Sequence, residues 1–418
     1  MKSITYNFFL ILFSTIPLSM VVGPTISLIN ILLIDVFFIY IILRYKDYTF
    51  VFNRYIFCLI LLYLYLIFNS FISIDFNKGL ARNLGFIRFI ILFLAFNYFF
   101  RIEFFFKKVF FVWLIFFLVI LIDIQFEFYF GKNIFGFESK YGERIVSFFK
   151  DEPIVGGFVG AFMLILIGFL FGELKGKYKS LILILSLFFL LSIFFTGERS
   201  NTIKAILSLI IFSFFLKEYS LKAKLLTFST VLIIFLSILL NSQFLKLRFV
   251  DQILVGKKDL NENIYVKLQK SGLEIFKNNP WFGVGNKNFR VITCEDYIND
   301  NKIYTKKFCS THPHQIYVEL LSEHGLLGFL FIMIILYILI FSKIKEIIFS
   351  KNYLSIGSFC YLIVTFTPLI PSGAFFSDFV LTLFFINFSI FYGSNLKLNI
   401  FNVYNKNQNI NFKFFTGR

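Results

Sequence analysis

The residues best suited to chemistry crowd into a short stretch after position 310. All three histidines of the chain, His312, His314 and His324, lie there. Imidazole changes charge near neutral pH and is the commonest general base of enzymes. Histidines beside glutamates at a membrane surface therefore predict a general base for a hydroxyl group. The alternative is a set of histidines that cap a helix and contact lipid headgroups.

The same stretch has the spacing of a helix. Pro313 can open a helix that begins just after it. Gln315, Glu319 and Glu323 recur every four residues, so they share one helical face. The glycines at the two ends of 325–328 would let a neighbouring helix approach closely.

Two arginines are candidate anion ligands. Arg199 stands in a polar Gly-Glu-Arg-Ser-Asn sequence, a setting suited to a bidentate grip on phosphate. The alternative is an interfacial arginine whose head reaches for water. Arg144 precedes Gly156 and Gly157 at the predicted outer mouth of a span. These glycines would admit a bulky lipid-linked ligand or, alternatively, allow close helix packing.

Two further charges fall inside apolar segments. Arg88 and Asp123 lie near the outer ends of consecutive predicted spans. A charge within a membrane is costly and is usually paired or functional. We expect these two side chains to form a salt bridge, with binding of a lipid phosphate by Arg88 as the alternative.

Four cysteines divide into two pairs. Cys58 and Cys360 lie in predicted spans and are expected to pack there. Cys294 and Cys309 lie in the long predicted outer loop, where an oxidising compartment would allow a disulfide or leave both thiols free. The spacing of cysteine and histidine indicates no metal site.

Composition selects the class of protein. Of 418 residues, 58% are hydrophobic and 16% are charged, more apolar side chains than a soluble domain buries. We predict an all-α, polytopic integral membrane protein. The net charge of +17 comes mostly from short loops between apolar segments. It therefore indicates membrane topology, and no nucleic-acid partner is expected.

Apolar stretches of spanning length predict about twelve transmembrane helices. They fall near 5–22, 25–43, 55–73, 84–100, 108–128, 153–172, 180–196, 202–217, 223–241, 324–342, 353–371 and 374–393. Lysine and arginine are concentrated in alternate loops, which predicts that both termini are cytoplasmic. The 131–152 loop, the 196–202 turn and the long 242–314 loop then face outward. We expect one membrane domain over 1–395 and a cytoplasmic tail over 396–418.

Four segments resemble, in order, motifs of the bacterial O-antigen ligase family and its polymerase relatives: 123–136, 197–200, 279–289 and 314–328. The last fits a His-[Asn/Ser/Gln]-x9-Gly-x-x-Gly signature that runs from His314 to Gly328. The third, which begins Asn-Pro-Trp-Phe-Gly-Val-Gly-Asn, is similar to the family's Asn-Pro-Leu-Phe-Gly-Val-Gly segment. The second, Gly-Glu-Arg-Ser, looks like its Gly-x-Arg-Ser turn.

The resemblance implies a glycosyltransferase-C-like membrane fold with one long periplasmic loop. It implies transfer of a glycan from undecaprenyl pyrophosphate to an acceptor sugar, such as lipid A-core, outside the bacterial inner membrane. The transfer would be inverting and would need no metal or other cofactor. By this resemblance His314 deprotonates the acceptor hydroxyl and Arg199 holds the pyrophosphate. The residues expected to bind substrates beside them are Arg144, Lys267, Lys270, Arg290, His312, Gln315, Glu319 and Glu323.

The chain departs from the family at a second phosphate ligand. The family has an arginine upstream of the Gly-Val-Gly segment, and that register falls on Tyr265 here. Either Lys267 or Lys270 supplies the charge, or Arg248 or Arg290 reaches in.

Other functions remain open at this stage. Ligase and polymerase share donor and base and differ in their acceptor. A flippase for lipid-linked oligosaccharides would predict internal symmetry and charges at the membrane midplane, whereas the polar residues here crowd the outer face. A non-catalytic envelope scaffold would not explain the clustered histidines and Arg199.

Overall fold

The computed structural model describes residues 3–140, 142, 144–150, 152–254, 263–294 and 309–401. Within that part of the chain every regular element is a helix. The first eleven helices are α1 Ser3–Ser14, α2 Ile16–Val22, α3 Pro24–Tyr45, α4 Arg54–Phe71, α5 Phe76–Gly85, α6 Ile87–Phe99, α7 Glu103–Phe130, α8 Val155–Glu173, α9 Lys179–Phe195, α10 Arg199–Phe215 and α11 Leu221–Asn241.

Further helices follow, including several in the segment predicted to be a loop. They are α12 Gln243–Lys246, a π-helix Leu247–Asp251, α13 Ile264–Asn278, α14 Phe289–Cys294, α15 Ile316–Leu339, α16 Ile344–Ile348, α17 Tyr353–Thr365 and α18 Asp378–Gly393. The long 242–314 segment is therefore largely helical in its described residues. The side chains of Val318 and Pro313 lie against Gly272, so α13 packs on the start of α15.

The described helices fit a multi-pass membrane protein. Seven are long and apolar enough to cross a bilayer, and the pair α1 and α2, bent by 48°, makes up to eight. Three shorter apolar helices, α9, α17 and α18, complete the set. Each predicted span coincides with a helix or helix pair, but the number that crosses the membrane stays a prediction.

The helices pack unequally. α8 is buried along most of its length and packs against α9, α10 and α17, whereas α11 is almost wholly exposed. Phenylalanine supplies much of the core, for example where Phe93 stacks on Phe388 between α6 and α18. The asymmetry leaves one side of α10 free to border a cavity.

Helix α15 is broken near its first third. Gly325 has φ +65° and ψ −174°, a backbone conformation essentially restricted to glycine. A Cβ at this position would coincide with the backbone of Trp281 and Phe282. The break interrupts the helical hydrogen bonds of a segment that is otherwise long enough to span a bilayer.

The segment 280–285 repairs that break. Leu326 N–H donates to the carbonyl of Pro280 at 2.7 Å, and Leu327 N–H donates to Trp281 at 3.1 Å. On the other side the amides of 284 and 285 donate to the carbonyls of 322 and 323 at 3.0 and 2.9 Å. Backbone groups freed within a membrane protein need such partners. We call 280–285 with 322–327 the broken-helix junction.

The expected salt bridge between Arg88 and Asp123 is wrong. Arg88 pairs with Asp378, which also binds Arg82. Asp123 accepts from the hydroxyl of Ser147 at 2.5 Å, and from a backbone amide of the following loop. The partner of Arg88 is distant in the sequence, whereas Asp123 is bound by the loop that follows its own helix.

Two expectations concern the loop and the tail. Cys294 and Cys309 form a disulfide, one of the two outcomes that their positions allowed. Of the predicted tail 396–418, residues 402–418 lie outside the described residues. Before them Leu398, Ile400 and Phe401 are buried, and Phe401 packs on Tyr98, so the described start of this segment adheres to the helical core.

Candidate functional site

A cavity of about 910 Å³ lies between α8, α10, α17 and the segment after α11. His314 and Arg199 both line it, so the structure brings together the two residues that the sequence predicted to be catalytic. Its wall is mixed. Apolar side chains of α17 and α18 form one part, and the polar residues at the start of α10 and in the π-helix form another.

His314 is held in place through its backbone. Its φ is +54°, an uncommon value for a non-glycine residue. Its carbonyl accepts from the N–H of Ser372 at 3.0 Å. The imidazole packs edge-on against Tyr265, with ring centroids 5.6 Å apart. Burial lowers the pKa of His314, which favours the neutral form of the ring that a general base requires.

His312 lies beside His314, with ring centroids 4.0 Å apart, but it is not part of the cavity wall. Its Nδ1 is 2.9 Å from the hydroxyl of Thr311, and no described group bonds its buried Nε2. Burial, with the nearby His314 second, lowers the pKa of His312 to about 3. A neutral His312 fits a packing role behind His314.

Two arginines meet at the turn between α9 and α10. Gly197 adopts φ +70° there, and Arg199 is the first residue of α10. Arg248, from the π-helix, donates through Nε and Nη2 to the carbonyl of Gly197 at 3.3 and 3.2 Å. Its Nη1 donates to Gln252 at 2.8 Å. Arg248 therefore binds the backbone of the turn, and Arg199 directly follows the turn at the start of α10.

Arg144 adds a third guanidinium to the same wall. Its Nη2 donates to the carbonyl of Pro153 at 3.4 Å, while no described group accepts from its buried Nε. Burial lowers the pKa of Arg248, and repulsion from Arg144 and Arg199 lowers it further. Three like charges therefore share one cavity, and two of them lie close enough to disfavour the charge of Arg248, as expected of a site for an anion.

A buried carboxylate lies at the edge of this cluster. Glu198 accepts from the amides of Gly156 and Gly157 at 2.7 and 3.2 Å, and from Asn201 at 2.5 Å. Burial raises the pKa of Glu198, and these hydrogen bonds and Arg144 oppose the rise. Because its oxygens bind the first turn of α8, Glu198 fixes the α9–α10 turn and leaves the arginines under-neutralised.

The polar residues of α15 point away from the cavity. Gln315 caps the helix by accepting from Val318 N–H at 2.8 Å. Glu319 is fully buried and accepts from Phe375 N–H at 3.0 Å, and Glu323 accepts from Phe289 N–H at 3.2 Å. Their shared face, predicted from the spacing, is turned towards protein backbone, so the structure places no carboxylate of α15 in the cavity wall.

Three other predicted substrate ligands also lie outside the wall. Lys267 and Lys270 are on α13, and Arg290 is an exposed residue of α14. Of the four alternatives for a second phosphate ligand, the cavity contains Arg248. His324 is buried beside Phe376, 3.4 Å from the hydroxyl of Tyr65.

Three charged residues of the wall, Glu198, Lys204 and Asp251, were not among the site residues that the sequence predicted. Lys204 could have been found, because it is a lysine inside a predicted span. No pattern in the sequence indicates that Glu198 binds the distant amides of 156 and 157.

A multi-pass membrane protein with a cationic, histidine-lined cavity is the class that fold and site define. Residues 181–333 match the family model described as O-antigen ligase. The resemblance to that family is therefore confirmed over this segment, which corresponds to the O-antigen ligase domain of the family model. The domain supports a glycan-transfer role in the biosynthesis of surface polysaccharides. No curated protein matches the chain. The matched segment includes the α9–α10 turn, the broken-helix junction and His314.

Proposed function

We propose that this protein transfers a glycan from undecaprenyl pyrophosphate to the hydroxyl of an acceptor sugar on the periplasmic side of the bacterial inner membrane. The observation that carries the proposal is one cavity shared by three arginines and a half-buried histidine, His314, whose pKa is lowered by burial. This combination suits a reaction that needs one base and a doubly phosphorylated leaving group.

His314 is the proposed general base. The acceptor hydroxyl loses its proton to the imidazole as its oxygen attacks the anomeric carbon of the donor. The bond from that carbon to the terminal phosphate oxygen breaks, and the electron pair stays on the phosphate. Attack opposite the leaving group inverts the anomeric centre. The products are an elongated glycan and undecaprenyl pyrophosphate.

The arginines are the proposed ligands of the pyrophosphate. Arg199 and Arg248 flank the α9–α10 turn, and Arg144 approaches from the loop before α8. Guanidinium groups match phosphate oxygens in pairs and stay charged in partly buried sites. Preorganised positive charge of this kind stabilises the leaving group without a metal or another cofactor. Arg248 is thus the proposed second phosphate ligand, in place of the family's arginine whose register falls on Tyr265.

The membrane setting follows from the same proposal. Both termini are cytoplasmic, and the cavity opens at the periplasmic surface beside apolar walls of α17 and α18 that suit a polyprenyl chain. The charge bias of the loops supports this orientation.

Transfer with purified protein tests the proposal. A defined undecaprenyl-pyrophosphate glycan is supplied with either lipid A-core or a second lipid-linked glycan as acceptor. Wild-type protein should form one product, and its size separates ligase from polymerase activity. His314→Ala should lower the rate about 10²- to 10⁴-fold, the usual contribution of a general base.

Two results would contradict the proposed function. Normal transfer by His314→Ala or Arg199→Ala would remove the catalytic assignment. Movement of the donor across vesicle membranes without formation of a glycosidic bond would favour a flippase instead.

A further inference from the structure

The cavity contains a fourth cation that the proposed mechanism does not use. Lys204 lines the wall from α10, five residues after Arg199. At about 1.5 Å per residue, its backbone lies roughly 7.5 Å further along the helix axis. Since α10 starts at the turn that holds the arginines, Lys204 is deeper in the helical bundle than Arg199.

Nothing in the described chain neutralises this lysine. No described side chain or carbonyl forms an ion pair or hydrogen bond with its ammonium group. The nearest acid of the wall in sequence, Glu198, is engaged by the amides of α8 and by Asn201. An unpaired charge within a membrane bundle is costly, and its usual justification is a bound partner of opposite charge.

The surroundings leave room for such a partner. Ala205, Ser208 and Gly160 are small residues of the same wall. A Cβ at Gly160 would meet only Ile193, at 3.9 Å. The cavity therefore stays open beside Lys204 and does not close on its ammonium group.

Depth distinguishes the two phosphates of a lipid pyrophosphate. One phosphate carries the sugar and the other carries the lipid, which enters from the apolar side. We infer that Lys204 binds the lipid-linked phosphate of the donor, while Arg199 and Arg248 bind the sugar-linked phosphate. This inference rests on the proposed function, because it takes the lipid pyrophosphate as the ligand.

The two positions have different kinetic consequences. Cleavage leaves a new negative charge on the sugar-linked phosphate, so its ligands stabilise the transition state and affect kcat. The lipid-linked phosphate keeps the same bonds throughout. A ligand to it stabilises bound substrate and transition state equally and affects KM alone.

Steady-state kinetics with the undecaprenyl-pyrophosphate glycan separates these effects. Lys204→Met should raise the donor KM about ten-fold, the loss expected for one charge-assisted contact, with kcat nearly unchanged. Lys204→Arg should recover most of that loss. Lys217→Met, which removes an exposed lysine just after α10, should leave both constants unchanged. An unchanged donor KM in Lys204→Met would overturn the inference.

Direct binding keeps the inference testable if no glycan transfer is found. Undecaprenyl phosphate and undecaprenyl pyrophosphate are the probes, in detergent with wild-type protein and both lysine variants. Lys204→Met should weaken binding of both lipids by a similar factor, whereas Arg199→Met should weaken the pyrophosphate more. Equal binding by wild type and Lys204→Met would overturn the inference, as would a loss confined to the pyrophosphate. A thermal melt distinguishes misfolding from lost binding.

Discussion

The cavity wall and the broken-helix junction are neighbours with opposite chemistry. In the wall, Arg144 and Arg199 both repel Arg248. In the junction, the amides of Leu326 and Leu327 each find a carbonyl of the inserted segment. The wall therefore holds positive charge that a bound anion would offset, whereas the junction pairs its own backbone groups.

That difference divides the residues of the segments that resemble the family into two groups. The turn at 197–200 and His314 present side chains to the cavity. The glycine-rich segment 279–286 and Gly325 serve the backbone of the junction instead. The motif that begins at His314 therefore contains both the imidazole in the cavity wall and Gly325, which belongs to the broken-helix junction. Mutations in the two groups should fail in different ways.

The largest effect is expected in the junction. Gly325→Ala forces a Cβ into the backbone of Trp281 at a left-handed φ. It should destabilise the protein by more than about 3 kcal/mol, as strained backbone and lost hydrogen bonds combine. Yield and melting temperature in detergent measure this loss.

Gly172→Ala is the matched control, because nothing lies within 4 Å of a Cβ built on this exposed helical glycine. It should leave stability unchanged or slightly raised. A Gly325→Ala variant as stable as Gly172→Ala would show that the break in α15 is not required.

A smaller effect is expected where α15 holds the loop that binds the backbone of His314. Glu319 accepts from Phe375 N–H, and the same loop contains Ser372, whose amide binds the carbonyl of His314. Glu319→Leu leaves that buried amide unpaired, at a cost of about 1–3 kcal/mol. It should also slow transfer by displacing His314. Glu319→Gln keeps an acceptor and should lose less, and an equal loss in both variants would argue against this route.

The predictions for Gly325 and Glu319 concern features of the fold that differ in how far the sequence could predict them. Apolar length gave the helices, because a span must be long and hydrophobic whatever it packs against. Residue type and spacing made His314 and Arg199 candidates, the resemblance implied their roles, and the structure places both in one cavity wall. The sequence did not reveal that Glu319 and Glu323 would face backbone amides. Spacing shows that the two residues share one face of a helix, but not which part of the protein that face contacts. The partner of Arg88 was likewise hidden, since Asp378 is distant in sequence.

The smallest effect concerns pH. Burial lowers the pKa of His314 below its ordinary value of about 6.5. A general base must be neutral, so activity is present above the folded pKa and lost as pH falls through it. The acid limb of kcat/KM should therefore lie below about pH 6.5. His312→Gln should leave the limb in place, because the pKa of His312, about 3, is far lower. An acid limb above pH 6.5 would contradict the half-buried His314 as the base.

The contrast between wall and junction is tested most directly by Arg199→Gln, with transfer rate and melting temperature measured on the same sample. The variant should lose about 10²-fold in rate, as when one preorganised donor is removed from a transition state. It should melt at the same or a higher temperature, because it relieves repulsion within the cavity. Arg290→Gln, at an exposed arginine outside the wall, should change neither quantity. An unaltered rate in Arg199→Gln, or a fall in melting temperature that accounts for the lost rate, would contradict the account.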